Sequence, residues 1–294
     1  MIKHPQWILV VDHGYIRDWC RFEDGWNPVS VMGLTVGPIS LKRTADKTQK
    51  GGAELYKRLS LRQREALEID ENYLQFLPYI VIIKRVEGRI LFSNYTRTKL
   101  VGEARLSGKR SIGWGGHPDR DMMLWEGNGA LNFKDSLNNC IVTEIGQECS
   151  FWGPAALGED GSRKYDIGEL SEDKGLLHHG FIYDRANDVG RKHLAVVQVL
   201  ELPAHVEMAS NEEELSFNGW ATIDELKADL DKYEPWSNII INAWMAGLMV
   251  PNDPKMVRPV SSGAPGVVSG GVEDNSIDEL AKRLNTPFVG GPNQ

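Results

Sequence analysis

Glu144 and Glu148 stand four residues apart in Thr143-Glu144-Ile145-Gly146-Gln147-Glu148, one turn apart if the segment is helical. At about 100° per residue, Leu137, Ile141, Ile145 and Cys149 line up as an apolar stripe, and the two glutamates fall about 40° apart at its border. A solvated salt-bridge face would lie opposite the stripe and carry Lys or Arg at i+4, and neither glutamate has such a partner. Two half-buried acids without a basic neighbour raise each other's pKa unless a cation sits between them. Two carboxylates completed by water and phosphate oxygens are what Mg²⁺ or Mn²⁺ accepts. The plainer reading is two acids at a helix edge that simply reach water.

Upstream, Gly102 to His117 holds five glycines in sixteen residues, interleaved with charges. Glycine costs backbone entropy, so a cluster belongs where the chain turns sharply or lets a ligand approach the main chain. A glycine-rich approach followed by helical carboxylates points to a metal-assisted site for a phosphorylated ligand.

The elements that must position these groups are legible in part. Trp7 to Val11 reads as a short buried strand, and residues 12 to 52 as irregular chain with one or two short strands. Residues 53 to 71 carry Leu55, Leu59, Ala66 and Ile69 among charges and predict a surface helix. Pro78 to Ile83 is a continuous β-branched run, as expected of a strand buried on both faces, and Glu87-Gly88 turns it into a partner at Arg89 to Tyr95. Residues 118 to 134 read as an insertion loop, 135 to 149 as the glutamate helix, and 152 to 176 as a polar loop. His193 to Leu200 and Phe217 to Ala221 are further strands; Thr222 caps a helix in a Thr-x-x-Glu box, and residues 235 to 248 form another helix. The Pro, Gly and Ser-rich stretch 251 to 274 reads as a flexible linker, ending in a short amphipathic helix at 276 to 285.

At 294 residues the chain can bury a full core in one or two domains, and 41% hydrophobic with 25% charged residues is ordinary for a soluble globular protein. A formal charge of -8 argues against a protein that coats nucleic acid, which needs a concentrated basic surface. A small nucleotide-type ligand remains compatible, since a few local cations hold it. The three cysteines, Cys20, Cys140 and Cys149, form no CxxC pair and are odd in number, which implies a reducing compartment. No signal-peptide pattern and no apolar window near the roughly 20 residues of a membrane span are present, so the expected location is cytoplasmic, with no membrane partner.

The order hairpin, glycine-rich loop, glutamate helix, apolar strand and Trp220-Ala221-Thr222-Ile223-Asp224-Glu225-Leu226 resembles the Nudix hydrolase family. Gly102 to His117 and Tyr183-Asp184 through Val189-Gly190-Arg191-Lys192-His193-Leu194 look like a Nudix-like subgroup of predicted phosphoesterases. The resemblance covers about residues 77 to 248. It implies an α/β (α+β) fold, an α/β/α sandwich on a mixed sheet, as the domain 77–250, with 1–76 an N-terminal extension packed on the core and 251–294 a linker and tail. The family's box reads G-x5-E-x7-R-E-U-x-E-E-x-G-U, with U aliphatic. Gly116 would open it, and Glu144 and Glu148 would be its first and last helical glutamates, ligating metal with help from the Gly116 carbonyl. The box Arg is Thr143 here, the middle Glu is Gln147, and the spacing from Gly116 is stretched.

The activity so implied is attack of water on a phosphorus of a nucleoside diphosphate derivative, with divalent metal. Arg105, Lys109 and Arg110 flank the glycine loop as candidate phosphate contacts. Trp114 is a candidate stacking surface or a packing residue, and His117 is a candidate ligand contact, while His193 suits a structural role. Glu212, Glu213 and Glu214 are candidates for the general base, with Glu214 carried forward beside Glu144 and Glu148 as the catalytic set. Family analogy also suggests a homodimer. The alternative is a degenerate domain that binds a nucleotide or partner without cleaving it, which Thr143 and Gln147 favour.

Overall fold

The computed structural model describes residues 5–20, 22–28, 38–39, 58–98, 106–127, 129–154, 160–174 and 176–249. In chain order these form β1 (Trp7–Asp12), β2 (Gly25–Pro28), β3 (Pro38–Ile39), β4 (Leu59–Gln63), α1 (Arg64–Leu67), β5 (Tyr73–Val86) and β6 (Arg89–Arg97). Next come β7 (Arg110–Ser111), β8 (Gly113–Trp114), α2 (Phe133–Glu148), β9 (Cys149–Gly153), β10 (Arg163–Tyr165), α3 (Ile167–Lys174) and β11 (Leu176–Tyr183). The last are β12 (His193–Leu202), β13 (Glu207–Ser210), β14 (Leu215–Thr222), α4 (Ile223–Ala228) and α5 (Pro235–Met245).

Strand β5 is the spine. It runs parallel to β12, in register from Gln75 opposite His193 to Lys84 opposite Leu202, and antiparallel to β6. The main sheet has the order β14-β6-β5-β12-β11-β2, with β1 and β8 also on β5, β7 on β6, β3 on β11, and β4 on β1. A strand covered on both faces needs apolar side chains in both directions, which is why Ile80 to Ile83 and Leu194 to Val197 are unbroken apolar runs, all buried. The β5–β6 turn places Glu87 and Gly88 at positive φ (49° and 77°), the backbone that a two-residue hairpin requires.

One face of the sheet packs α2. Phe133 and Leu137 meet Leu74 and Phe76, and Ile141 and Ile145 meet Ile80 and Ile82. The alternate residues Tyr79, Val81 and Ile83 point to the other face, against Leu226 of α4 and Ile240, Ile241 and Ala243 of α5. Helices on both faces of a mixed sheet make the expected α/β/α sandwich. The α4 start carries the expected capping box, Thr222 with Glu225. A small sheet, β10-β9-β13, flanks the α2 side.

Two segments differ from the sequence reading. Residues 59 to 63 form β4 rather than surface helix, because Leu59 and Leu61 alternate toward the core while the backbone pairs with β1. The helical reading had joined them to Ala66 and Ile69, which lie beyond the strand's end. The stretch 152 to 176 is not a single loop: it contains β10 and α3, whose Tyr165, Ile167 and Leu170 are buried beside α2. From the N-terminal region, β1 pairs with β5 and β2 with β11. The expected linker and tail helix after residue 250 lie outside the described residues. Among the described residues no helix is long and apolar enough to cross a membrane.

Candidate active site at the glycine turn

Two glycines, Gly113 and Gly115, thread the chain across β5 at distances no side chain tolerates. A Cβ on Gly113 would fall 1.9 Å from the Tyr79 ring, and one on Gly115 would fall 2.5 Å from the Pro78 carbonyl. Gly115 also has a φ of +127°, a conformation that L side chains rarely adopt. Beneath this turn Trp114 is buried, its Nε1 donating to Ser93 Oγ at 2.9 Å and its ring centred 4.4 Å from that of Tyr95. The Tyr95 hydroxyl in turn donates to the Gly113 carbonyl at 2.8 Å. Trp114 therefore acts in packing, under the turn it supports.

Helix α2 delivers both glutamates to that turn. Glu148 Oε2 accepts the Gly115 N–H at 2.9 Å, and the Glu144 carboxylate lies against Gly116, where a Cβ would stand 2.3 Å from its Oε2. Burial first, then the nearby Glu212 and Glu144, push the Glu148 carboxyl up to about 8, against the lowering effects of the Gly115 N–H and Arg97. The Glu144 carboxyl is raised as well, by burial and then by Glu212 and Asp119. Glu212 is held near because the 210–212 turn wraps the end of α2: Asn211 N–H donates to the Glu148 carbonyl at 2.7 Å, and its side-chain amide to the Gln147 carbonyl.

Glu144, Glu148 and Gly116 thus meet at one turn. Among the described residues no three His, Cys, Asp or Glu side chains converge as a closed metal cage. The donor set fits a small hard cation all the same. It offers two carboxylates, both raised in pKa by burial first and then by acidic neighbours, with a glycine main chain alongside, and such a cation takes its remaining ligands from water and phosphate.

The turn borders a cavity of about 490 Å³, within the range of small-ligand sites. His117, Glu214, Arg97, Arg64 and Trp114 line it. His117 Nε2 is 3.2 Å from His193 Nε2, and His193 Nδ1 is 2.7 Å from the Val189 carbonyl. Burial, then Arg64 and His193, pull the His117 imidazole down to about 3, so it is neutral near pH 7. Lys109 and Arg110 are not brought to the cavity. Lys109 Nζ donates to the Asp231 carbonyl at 2.8 Å, and Arg110 pairs with Asp229 at 2.8 Å, at a separate shallow recess. Arg105 lies outside the described residues.

The sequence reading missed one wall of the cavity. Glu234, buried at the start of α5, accepts from the Tyr79 hydroxyl at 2.7 Å and from the backbone N–H groups of Trp236 and Ser237, both at 2.8 Å. Glu234, Pro235 and Trp236 all face the cavity. The available signal was an acid directly before a proline, an N-cap followed by Pro at the first helical position. Arg97, at the end of β6, also carried no motif.

No protein-family model matches the chain. Protein YmaB of Bacillus subtilis (strain 168) is 28% identical over 183 residues, covering 61% of this chain and 75% of YmaB. Among solved structures, that of Tm1382, provisionally assigned as a Nudix hydrolase, superposes with a TM-score of 0.52 at 20% identity over 82% of this chain and 98% of Tm1382. The mixed α+β fold with one large mixed sheet is therefore similar to that structure.

Proposed function

We propose that this protein is a divalent-metal-dependent hydrolase that cleaves a phosphoanhydride bond in a nucleoside diphosphate derivative. The observation that carries the reading is the meeting of Glu144 and Glu148 with the Gly115–Gly116 main chain, a turn that itself lines the cavity. Glu144 and Glu148, with the Gly116 carbonyl, would hold Mg²⁺ or Mn²⁺. A bound metal would polarise the phosphoryl oxygens and neutralise charge on the leaving phosphate.

The chain's own groups do the rest. The Gly115 N–H fixes the Glu148 carboxylate, so its reach toward the diphosphate is set before the ligand arrives. Glu214, which lines the cavity, would accept the proton of the attacking water, and Arg97 and Arg64, which line it too, would supply positive charge. The test is a phosphate-release screen over dinucleotides, nucleoside diphosphate sugars and nucleoside triphosphates with Mg²⁺ and with Mn²⁺. Metal-dependent release that Glu148→Gln abolishes supports the reading, and no release from any of them overturns it.

A second reading, ligand binding without cleavage, draws on Thr143. Its Oγ1 donates to the Asn139 carbonyl at 2.8 Å, within the helix, and so orients neither glutamate. Thermal stabilisation by the same compounds without turnover would select it.

A further inference from the structure

One residue beyond Gly116, the ring of His117 lines the same cavity. The hydrogen bonds around that ring determine which of its nitrogens carries the proton. The Val189 carbonyl can only accept, so His193 Nδ1, 2.7 Å away, is the protonated nitrogen of His193. With His193 neutral, its other nitrogen is a lone pair and His193 Nε2 is an acceptor. His117 Nε2 faces it at 3.2 Å and must be the donor. That leaves His117 Nδ1 as a lone pair, and no group among the described residues donates to it.

We propose that His117 Nδ1 accepts a hydrogen bond from a neutral hydroxyl or amino group of the ligand, and so determines specificity for a sugar or base next to the diphosphate. The inference rests on the proposed diphosphate site for its starting point and adds what lies beyond the phosphates. Ionised phosphate oxygens only accept, and a bound divalent metal favours that form, so a further phosphate gains little from this lone pair, whereas an O–H or N–H does. The wall beside it is aromatic: the Trp236 ring stands edge-on to His193, 6.5 Å between centroids, and to Tyr79, 5.8 Å. A flat or apolar-faced group with polar edges suits such a wall better than a string of anions.

The test is titration calorimetry of the full chain with Ca²⁺ in place of Mg²⁺. Four probes are used: inorganic pyrophosphate, ADP, ADP-ribose, and the diphosphate of purine riboside, which lacks the adenine amino group. If the donor is the second sugar, the wild type binds ADP-ribose about tenfold tighter than ADP; if it is the base, it binds ADP about tenfold tighter than the purine analogue. His117→Phe is expected to erase that preference while leaving pyrophosphate affinity unchanged. Pyrophosphate binding without any preference, or a preference that survives His117→Phe, overturns this inference and leaves the diphosphate site standing. Loss of pyrophosphate affinity in the variant also overturns it, because the ring would then support the whole site. Absence of binding by every probe removes both readings. Independently of any variant, long-range ¹H–¹⁵N spectra of the wild type should show His117 protonated on Nε2, and a proton on Nδ1 overturns the assignment.

Discussion

Gly116 and Glu144 touch so closely that a methyl group on the glycine would stand 2.3 Å from the glutamate's Oε2. The colliding atom is the tip of a flexible side chain, so the collision is relieved by swinging the carboxylate aside rather than by moving backbone. Gly116→Ala should therefore fold with a melting temperature within a few degrees of wild type, yet lose roughly tenfold to a hundredfold in metal-dependent kcat, since a displacement of about 1 Å in a positioned group costs that much. Gly115→Ala should behave oppositely at the level of folding. It meets the fixed Pro78 carbonyl at 2.5 Å and requires φ of +127°, so it should lower the melting temperature clearly. Thermal melts alongside steady-state kinetics separate the two, and wild-type turnover in Gly116→Ala would show that the Glu144 position is not critical.

Stability of the metal-free protein should fall as pH rises. The Glu148 carboxyl has a folded pKa of about 8 against an ordinary value of 4.5, so between those values the folded state holds more protons than the unfolded chain. The raised pKa favours folding fully below pH 4.5, and that contribution is lost as pH rises through about 8. Glu144, raised in the same direction, adds to the slope. The expected change is a few kcal/mol. Urea titrations in chelator from acidic to mildly alkaline pH read it directly, and added Mn²⁺ should flatten the trend by binding the ionised pair. A stability that climbs through this window would contradict the burial assigned to Glu148.

Much of this arrangement is readable from residue order, and the reason is periodicity. The stripe Leu137, Ile141 and Ile145 fixes the face of α2, and the face fixes where Glu144 and Glu148 point. The runs in β5 and β12 announce a doubly covered sheet for the same reason. What local patterns do not encode is pairing over distance. Tyr79 and Glu234 are 155 residues apart, and His117 and His193 are 76 apart; each pair meets only because β5 and β12 lie side by side and α5 crosses them. Lys109 and Arg110 show the converse. Their spacing beside the glycines suggested phosphate contacts, but their side chains turn to the Asp229–Asp231 turn, which sequence proximity could not reveal.

Glu148→Gln separates charge from shape. The amide oxygen can still accept the Gly115 N–H, so the turn should stay in place, while the ionisable charge is gone. In chelator near pH 8 the variant should melt higher than wild type, because a carboxylate disfavoured by burial has been removed. With Mg²⁺ or Mn²⁺ its kcat should fall about a hundredfold or more, the scale of losing one preorganised electrostatic group. A variant that loses both stability and activity would instead mark Glu148 as a structural residue.

Removing the Tyr79 hydroxyl tests the far wall of the cavity. Glu234 takes the Tyr79 hydroxyl at 2.7 Å, the Ser237 hydroxyl at 2.6 Å and two backbone N–H groups of α5, so it caps the helix and is itself held from β5. Tyr79→Phe deletes one bond to a buried carboxylate and should cost about 1–3 kcal/mol. Glu234→Ala removes the cap as well and strands the Tyr79 hydroxyl, so its cost should be larger by about 1 kcal/mol or more. Neither residue touches the carboxylate pair, but the helix start they secure carries Pro235 and Trp236 along the cavity. Loosening it should therefore raise KM several-fold while changing kcat less, because ligand contacts are lost equally in the ground and transition states. Equal losses in kcat and kcat/KM would place this wall in the chemical step instead, and an unchanged KM would detach it from ligand binding altogether.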